Sequence, residues 1–247
     1  MNTDKQNIEN RKSWNTNSAD WDNYMGESGN DWHKELVAPD TERLLNLQKG
    51  DNLLDIGCGN GLFSRRMAKR GVKVRAFDFS QLNIENARKY DCHNIDYEIL
   101  DATNNGDLNK LHDRRYNGIV SNMVLMDMPE IETLFSHIRD LLEENGTFVF
   151  SIQHPCFNSE YVEQESNNSL LLRDYIHPST SKGIAIPTQK VEQYYFHRPI
   201  SYYLNLGIDN GLVVNGFVEP TFDNEKKFEM YSNKFPPILI IRMIKLK

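Results

Sequence analysis

Apolar and polar positions alternate along the chain in two rhythms, and the switches fall at glycines and acids. Leu53, Leu54 and Ile56 form a short continuous apolar run, which predicts a parallel strand buried on both faces. Gly57, Gly59 and Gly61 follow at alternate positions; Leu62, Phe63 and Met67 then mark one face of a helix ending at Gly71. Residues 72–77 predict a second strand that runs into Asp78. Ser80 stands where a helix through about Tyr90 needs its N-cap, with Ile84 and Ala87 facing inward. Residues 95–100 alternate as a third strand ending in Asp101, and Leu108 and Leu111 predict one short helix after it. Residues 116–121 predict a fourth strand, followed by a methionine-rich loop, Asn122-Met-Val-Leu-Met-Asp-Met128. Ile131, Leu134, Phe135, Ile138, Leu141 and Leu142 give the clearest amphipathic helix, and residues 147–152 a fifth strand after the Asn145-Gly146 turn. Strands alternating with helices at this spacing predict an α/β fold with a parallel, doubly wound sheet.

The flanks are less regular. Residues 1 to about 12 are polar and expected to fray. Trp14, Trp21 and Tyr24 then stand among Asp and Asn, and Trp21 and Tyr24 share a helix face. They read equally well as anchors of an N-terminal helix and as a flap over a ligand, with Gly26 and Gly29 as its hinge. Asp31 is the expected cap of a helix over 32–37 that Pro39 interrupts, and Asp40 or Thr41 restarts a turn carrying Leu44, Leu45 and Leu47. Residues 154–199 are polar, rich in Asn, Ser and Tyr, and expected to form an irregular lid or substrate-binding insertion. Ser201 is the expected cap of a helix through Leu206, and residues 212–218 predict a strand. A polar loop over 220–235 then leads through Pro236-Pro237 to a last strand at 238–244, paired antiparallel. The expected division of one domain is a helical cover at 1–38 and a cofactor-binding core at 40–153, followed by the lid at 154–199 and a closing helix and strand pair at 200–247.

Composition narrows the function classes. With 247 residues, 39% hydrophobic and 26% charged, the chain is long and apolar enough for one globular α/β domain. A net charge of −7 and the lack of a dense Lys/Arg cluster weigh against nucleic acid and favour a small or neutral substrate. The three cysteines, Cys58, Cys92 and Cys156, are too scattered for a disulfide framework and fit a reducing compartment. The polar N-terminus lacks the apolar core of a secretory signal, and the longest apolar run, Ile238 to Ile241, is too short to span a membrane. A soluble, cytoplasmic protein is expected. His154-x-Cys156 lacks a second ligand pair, so no metal is expected.

The chemistry concentrates where the first three strands end. The glycine spacing is G-x-G-x-G and not the G-x-G-x-x-G of a pyrophosphate fingerprint, which weighs against a nicotinamide dehydrogenase. Asp55, Asp78 and Asp101 end those strands, and ligands of open parallel sheets bind beyond the carboxyl ends. Asp78 follows Asp55 at close to the ~20-residue offset of an acid that grips a ribose diol.

Leu54-Asp-Ile-Gly-Cys-Gly-Asn-Gly61, Phe77-Asp78-Phe79-Ser80 and Leu100-Asp101-Ala102 resemble the motifs of class I S-adenosylmethionine-dependent methyltransferases, over about residues 40–155. The likeness is to small-molecule enzymes. The stretches around His154-Pro-Cys-Phe157 and His197-Arg-Pro-Ile-Ser-Tyr-Tyr203 are similar to those of bacterial members of the group. The resemblance implies a Rossmann-like seven-stranded sheet of order 3-2-1-4-5-7-6 with the last strand antiparallel, and S-adenosylmethionine as cofactor. It implies that Gly57, Gly59 and Gly61, with Asp55 and Cys58 in the same motif, cradle the methionine part. Asp78 would take the ribose diol, Phe79 and Ser80 would lie beside the base, and Asp101 and Ala102 would meet the adenine edge. Asn122 would lie near the methionine portion or the transferred methyl, and Tyr24 and His33 are further candidates for a cover from the N-terminal side.

His154, His197 and Tyr195, after strand five, are the candidates for a general base. Ser121-Asn-Met-Val124 lacks the Asn-Pro-Pro-Tyr type motif of amino-methylating nucleic-acid enzymes. A small-molecule acceptor is therefore expected, with neither nucleic acid nor membrane as partner. The competing readings are a methyltransferase of macromolecules and a cofactor-binding module without catalysis.

Overall fold

Thr3–Met25 form one continuous helix, α1, in place of the frayed start expected up to residue 12. The computed structural model describes residues 3–90, 92–166, 169–222 and 234–245. Helix α1 buries Gln6, Asn10, Trp14 and Asn17, a stripe at helical spacing that is mostly polar, so no apolar periodicity announces it. Hydrogen bonds take the place of apolar contacts along this stripe. Trp32–Val37 form a π-helical turn that runs directly into α2, Ala38–Leu45. Contrary to the expectation from the sequence, Pro39 does not interrupt this run, because it sits in the first turn of α2, where the missing N–H costs nothing. Asp31 is itself helical and its side chain caps nothing.

The core then alternates as expected, except that its fifth strand begins at Leu142 and runs through Asn145-Gly146, where a turn was expected. Strand β1 is Asn52–Ile56, α3 is Leu62–Ala68, β2 is Lys73–Asp78, and α4 is Gln81–Lys89. The Ser80 hydroxyl accepts the Asn83 N–H at 3.2 Å and caps α4. Strand β3 is Ile95–Ile99, α5 is Asn105–Asn109, β4 is Tyr116–Asn122, α6 is Glu132–Leu141, and β5 is Leu142–Gln153.

Residues 154–199 depart from expectation. They contain two antiparallel ribbons, β6 (Val162–Ser166) with β7 (Ser169–Leu172), and β8 (Ser179–Gly183) with β9 (Gln193–His197). Most of β6 is exposed, so it has no buried face to impose an alternating pattern. Helix α7, Ile200–Asp209, begins one residue before Ser201 with Pro199 at its N-cap and no side-chain cap. Strand β10 is Leu212–Val218 and β11 is Ile238–Lys245; the polar loop expected between them lies mainly outside the described residues.

Seven strands pair in the order β10-β11-β5-β4-β1-β2-β3. Strands β1 to β5 are parallel where they pair, and β11 is antiparallel to both β5 and β10. Two apolar layers flank this sheet. Leu54, Ile56, Phe148 and Phe150 point into the layer under α6, whereas Leu53 and Val149 point into the layer with Leu45, Phe63 and Met67. No helix among the described residues is long and apolar enough to cross a membrane.

Helix α1 crosses the carboxyl ends of the strands. Asn10 donates to the Asp127 carbonyl at 2.7 Å and accepts the Tyr194 N–H at 2.7 Å. Asn17 donates to the Val191 carbonyl at 2.8 Å, and Asn86 of α4 donates to the Ser18 carbonyl at 3.1 Å. Replacing Asn10 by alanine orphans two backbone groups at a buried position. The variant is expected to lose about 1–3 kcal/mol in denaturant unfolding with an unchanged m-value.

Candidate active site

The loop after β1 turns sharply because Gly57, Gly59 and Gly61 all have positive φ, at 67°, 55° and 74°. At Gly61 an added Cβ would collide with the Tyr97 ring, so that glycine serves packing against β3. At Gly59 it would meet only the Trp21 indole nitrogen, at 3.3 Å, and would point into a crevice. Asp78 fixes this loop: it accepts the Gly59 N–H at 3.0 Å on one carboxylate oxygen and the Ser80 N–H at 2.8 Å on the other. Burial pushes its pKa up to about 6.

A cavity of about 700 Å³, open solvent included, lies over this loop. Gly57, Gly59, Asp78, Phe79, Ala102 and Asn122 line it from the sheet side, and Asn7, Trp14 and Trp21 of α1 roof it. Asp101 also lines it, but its carboxylate is engaged by Asn7 at 2.7 Å, by Arg11, and by the Thr103 N–H at 2.9 Å. It therefore ties α1 to the end of β3. The Arg11 guanidinium lies 5.6 Å from the centre of the Phe79 ring.

Asp55, Cys58, Gly61 and Ser80 lie behind this wall and line none of the cavities. Asp55 accepts the Ser64 hydroxyl under the loop, and burial pushes its pKa up to about 7. Cys58 packs against the apolar layer around Phe63, where burial pushes its thiol well up. Ser80 donates to Asn15 of α1 at 2.8 Å.

A second cavity, of about 1120 Å³ with open solvent included, shares Trp14, Trp21, Asn122, Met123 and Asp127 with the first. Tyr24 and His33, expected on the cofactor, line this second cavity instead. Ile184, Ile186, Gln193 and Tyr195 close it from the β8–β9 ribbon and its loop. Asn122 accepts hydroxyls from Thr41 and Ser151, each at 3.1 Å, and its buried Nδ2 has no hydrogen-bond partner among the described residues. Asp127, at the end of a short 3-10 turn after β4, is only 8% exposed. Burial, and then the charge of Asp78, push its pKa well up against a hydrogen bond from Trp14.

Of the three candidate bases, only Tyr195 lines the second cavity. Its hydroxyl accepts the Gln193 amide at 3.1 Å, and burial pushes its pKa up. His197 lines a smaller neighbouring cavity and pairs through Nε2 with the Tyr175 carbonyl at 2.8 Å. His154 lines none of them. It is 1% exposed, accepts the Cys156 N–H at 3.1 Å on Nδ1, and pairs through Nε2 with Glu219 at 2.8 Å. Among the described residues no group of three or more His, Cys, Asp or Glu is placed to hold a metal ion.

Sequence reasoning passed over Asp127 and Asn7. The signal for Asp127 was an acid set among methionines in the loop after β4. Asn7 left no such mark.

His33 offers a pH test of the site's burial. Burial, with Arg66 and Lys34 adding to it, pushes its pKa from 6.5 down to about 4. A folded-state pKa below the unfolded one makes protonation favour unfolding. Stability is therefore expected to fall as pH drops from about 6.5 to about 4, by at most about 1.4 kcal/mol per pH unit from this group. In His33→Gln that slope should be shallower, as measured by denaturant midpoints across the window.

A family model described as a methyltransferase domain matches residues 30–185. Malonyl-[acyl-carrier protein] O-methyltransferase 1 of Ilyobacter polytropus is 30% identical over 128 residues, 50% of this chain and 45% of that protein. The mitochondrial ubiquinone biosynthesis O-methyltransferase of Schizosaccharomyces pombe is 33% identical over 129 residues, 52% of this chain and 42% of that protein. The chain thus spans about half the length of these curated relatives. A crystal structure of an S-adenosylmethionine-dependent methyltransferase from Mesorhizobium loti superposes with a TM-score of 0.68 at 23% identity, covering 83% of this chain and 95% of that one. The chain belongs to the methyltransferase-domain family, and its sheet is the Rossmann-like sheet of the class I S-adenosylmethionine-dependent enzymes.

Proposed function

We propose that this chain transfers a methyl group from S-adenosylmethionine in the first cavity to a small-molecule acceptor in the second. The observation that carries this reading is the wall the two cavities share, made by Trp14, Trp21, Asn122, Met123 and Asp127. Ligands on its two sides would lie close enough for direct transfer, and holding reactants in line is most of what such an enzyme supplies.

The residues of the first cavity suit the cofactor. Gly59 leaves room for close approach of a ligand to the backbone. Asp78 Oδ2 spends one lone pair on the Gly59 N–H and keeps another for a ribose hydroxyl, while Oδ1 is met by the Ser80 N–H and the Asn83 amide. Phe79 and Ala102 offer apolar surface to a base. Asp127 and the indoles of Trp14 and Trp21 suit a cation beside the shared wall. When bound, S-adenosylmethionine supplies a methyl group already activated on a sulfonium. The chain's own part is to orient that group, to exclude water under α1, and to position the acceptor. The curated relatives, named for ubiquinone biosynthesis and for malonyl-acyl carrier protein, favour a metabolite acceptor over a nucleic acid.

Two measurements test the reading. S-adenosylhomocysteine should bind in calorimetry, and Asp78→Ala should weaken it about tenfold or more while unfolding stays cooperative. Radiolabel from S-adenosylmethionine should enter the small-molecule fraction of a lysate. Unchanged affinity in Asp78→Ala, or label confined to protein and RNA, would overturn the proposal.

A further inference from the structure

Asp127 is the one acid that lines the second cavity, and no lysine or arginine joins it there among the described residues. The other ionisable groups on this wall are His33, Tyr24 and Tyr195. Burial holds His33 in its uncharged form at neutral pH, and burial also holds Tyr195 protonated. The formal charge that the chain's own side chains on this wall present to an occupant is therefore zero or negative. Five rings, those of Trp14, Trp21, Tyr24, Trp32 and Tyr195, form much of the remaining surface. Trp14 and Trp21 meet at 87° with centroids 5.3 Å apart, so this corner presents one ring face and one ring edge. Aromatic faces and one buried carboxyl make a lining matched to positive charge.

We propose that the second cavity binds a small amine whose nitrogen accepts the methyl group, with Asp127 as the carboxyl that pairs with that nitrogen. The proposal rests on the methyl-transfer reading above and names the chemical class of its acceptor.

The charge that develops during transfer decides between acceptor classes. The bound ammonium first passes one proton to a carboxylate oxygen of Asp127, which frees the nitrogen lone pair; that pair forms the new N–C bond as the donor's C–S bond breaks and the C–S electron pair stays on sulfur. Positive charge then returns to the nitrogen, which leaves as a methylated ammonium. A carboxyl buried this deeply and facing the charge of Asp78 holds a proton strongly, which suits it to take one from an ammonium group. An oxygen acceptor would instead have to give up its proton before transfer, and the resulting oxyanion would stand beside Asp127 and Asp78, without a basic side chain on the wall to offset it. A carboxylate or phosphate on the acceptor would meet the same repulsion. The unpartnered Asn122 Nδ2 is a neutral donor and changes this balance little.

The test uses the full chain saturated with S-adenosylhomocysteine and two matched ligand series that differ only in the head group. One is tryptamine, tryptophol and indole-3-acetate; the other is phenethylamine, 2-phenylethanol and phenylacetate. In at least one series the amine should bind at least tenfold more tightly than the alcohol, with the carboxylate weakest. Asp127→Asn should remove the amine's advantage. Asp127→Glu, which restores the charge, should regain part of it if the asparagine variant fails to unfold cooperatively. Equal affinities, a preference for the carboxylate, no binding in either series, or an amine preference that survives in Asp127→Asn would overturn the proposal. S-adenosylhomocysteine binding is measured first on the same sample. If it fails, the donor reading falls with the rest; if it succeeds without an amine preference, only the acceptor class falls.

Discussion

The Asp78 carboxylate, clamped between the Gly59 and Ser80 amides, is the contact on which the rest of the site depends. It joins the turn after β1 to the end of β2 and holds the glycine backbone open toward the crevice. A buried carboxylate is costly unless hydrogen-bonded, and its two oxygens are met by backbone donors at 3.0 and 2.8 Å. Burial still leaves its pKa raised to about 6. That strain is tolerated where an acid must remain accessible to a ligand from one side.

The second organising feature is the polar underside of α1. Apolar side chains would have held this helix firmly, yet its buried stripe includes Asn10 and Asn17, both bonded to backbone groups of distant segments. Each such bond adds only about 0.5–1.5 kcal/mol net. A roof assembled this way is specific in register and shallow in energy, as an element that must part for a ligand requires. The same helix reaches both cavities, since Trp14 and Trp21 form part of the wall between them.

Much of the sheet was legible in the sequence because its strands are apolar on both faces and its turns are marked by glycine and aspartate. Leu53, Leu54 and Ile56, then Gly57 to Gly61, locate β1 and its turn without ambiguity. Helix α1 was not legible before Trp14, since its buried positions include Gln6 and Asn10 rather than leucine or valine. The β6–β7 and β8–β9 ribbons were hidden for a related reason: short, mostly exposed strands leave no alternation to read. In the site, Asp78 was visible from its place after a strand, because that position is set by local chain order. The histidines were misleading. His154 looked like a base at the mouth of the sheet, but both its ring nitrogens are used to tie its loop to Glu219 and Cys156. Partners 65 residues apart in sequence leave no local signature.

On the proposed reading, one ligand site is built jointly by the glycine loop and by α1. Hydrogen–deuterium exchange on the full chain, with and without S-adenosylhomocysteine, tests it most directly. Slowed exchange is expected in residues 57–61 and 78–80 together with residues 7–21 of α1. Protection limited to the loop, with α1 exchanging as fast as in the free protein, would contradict it.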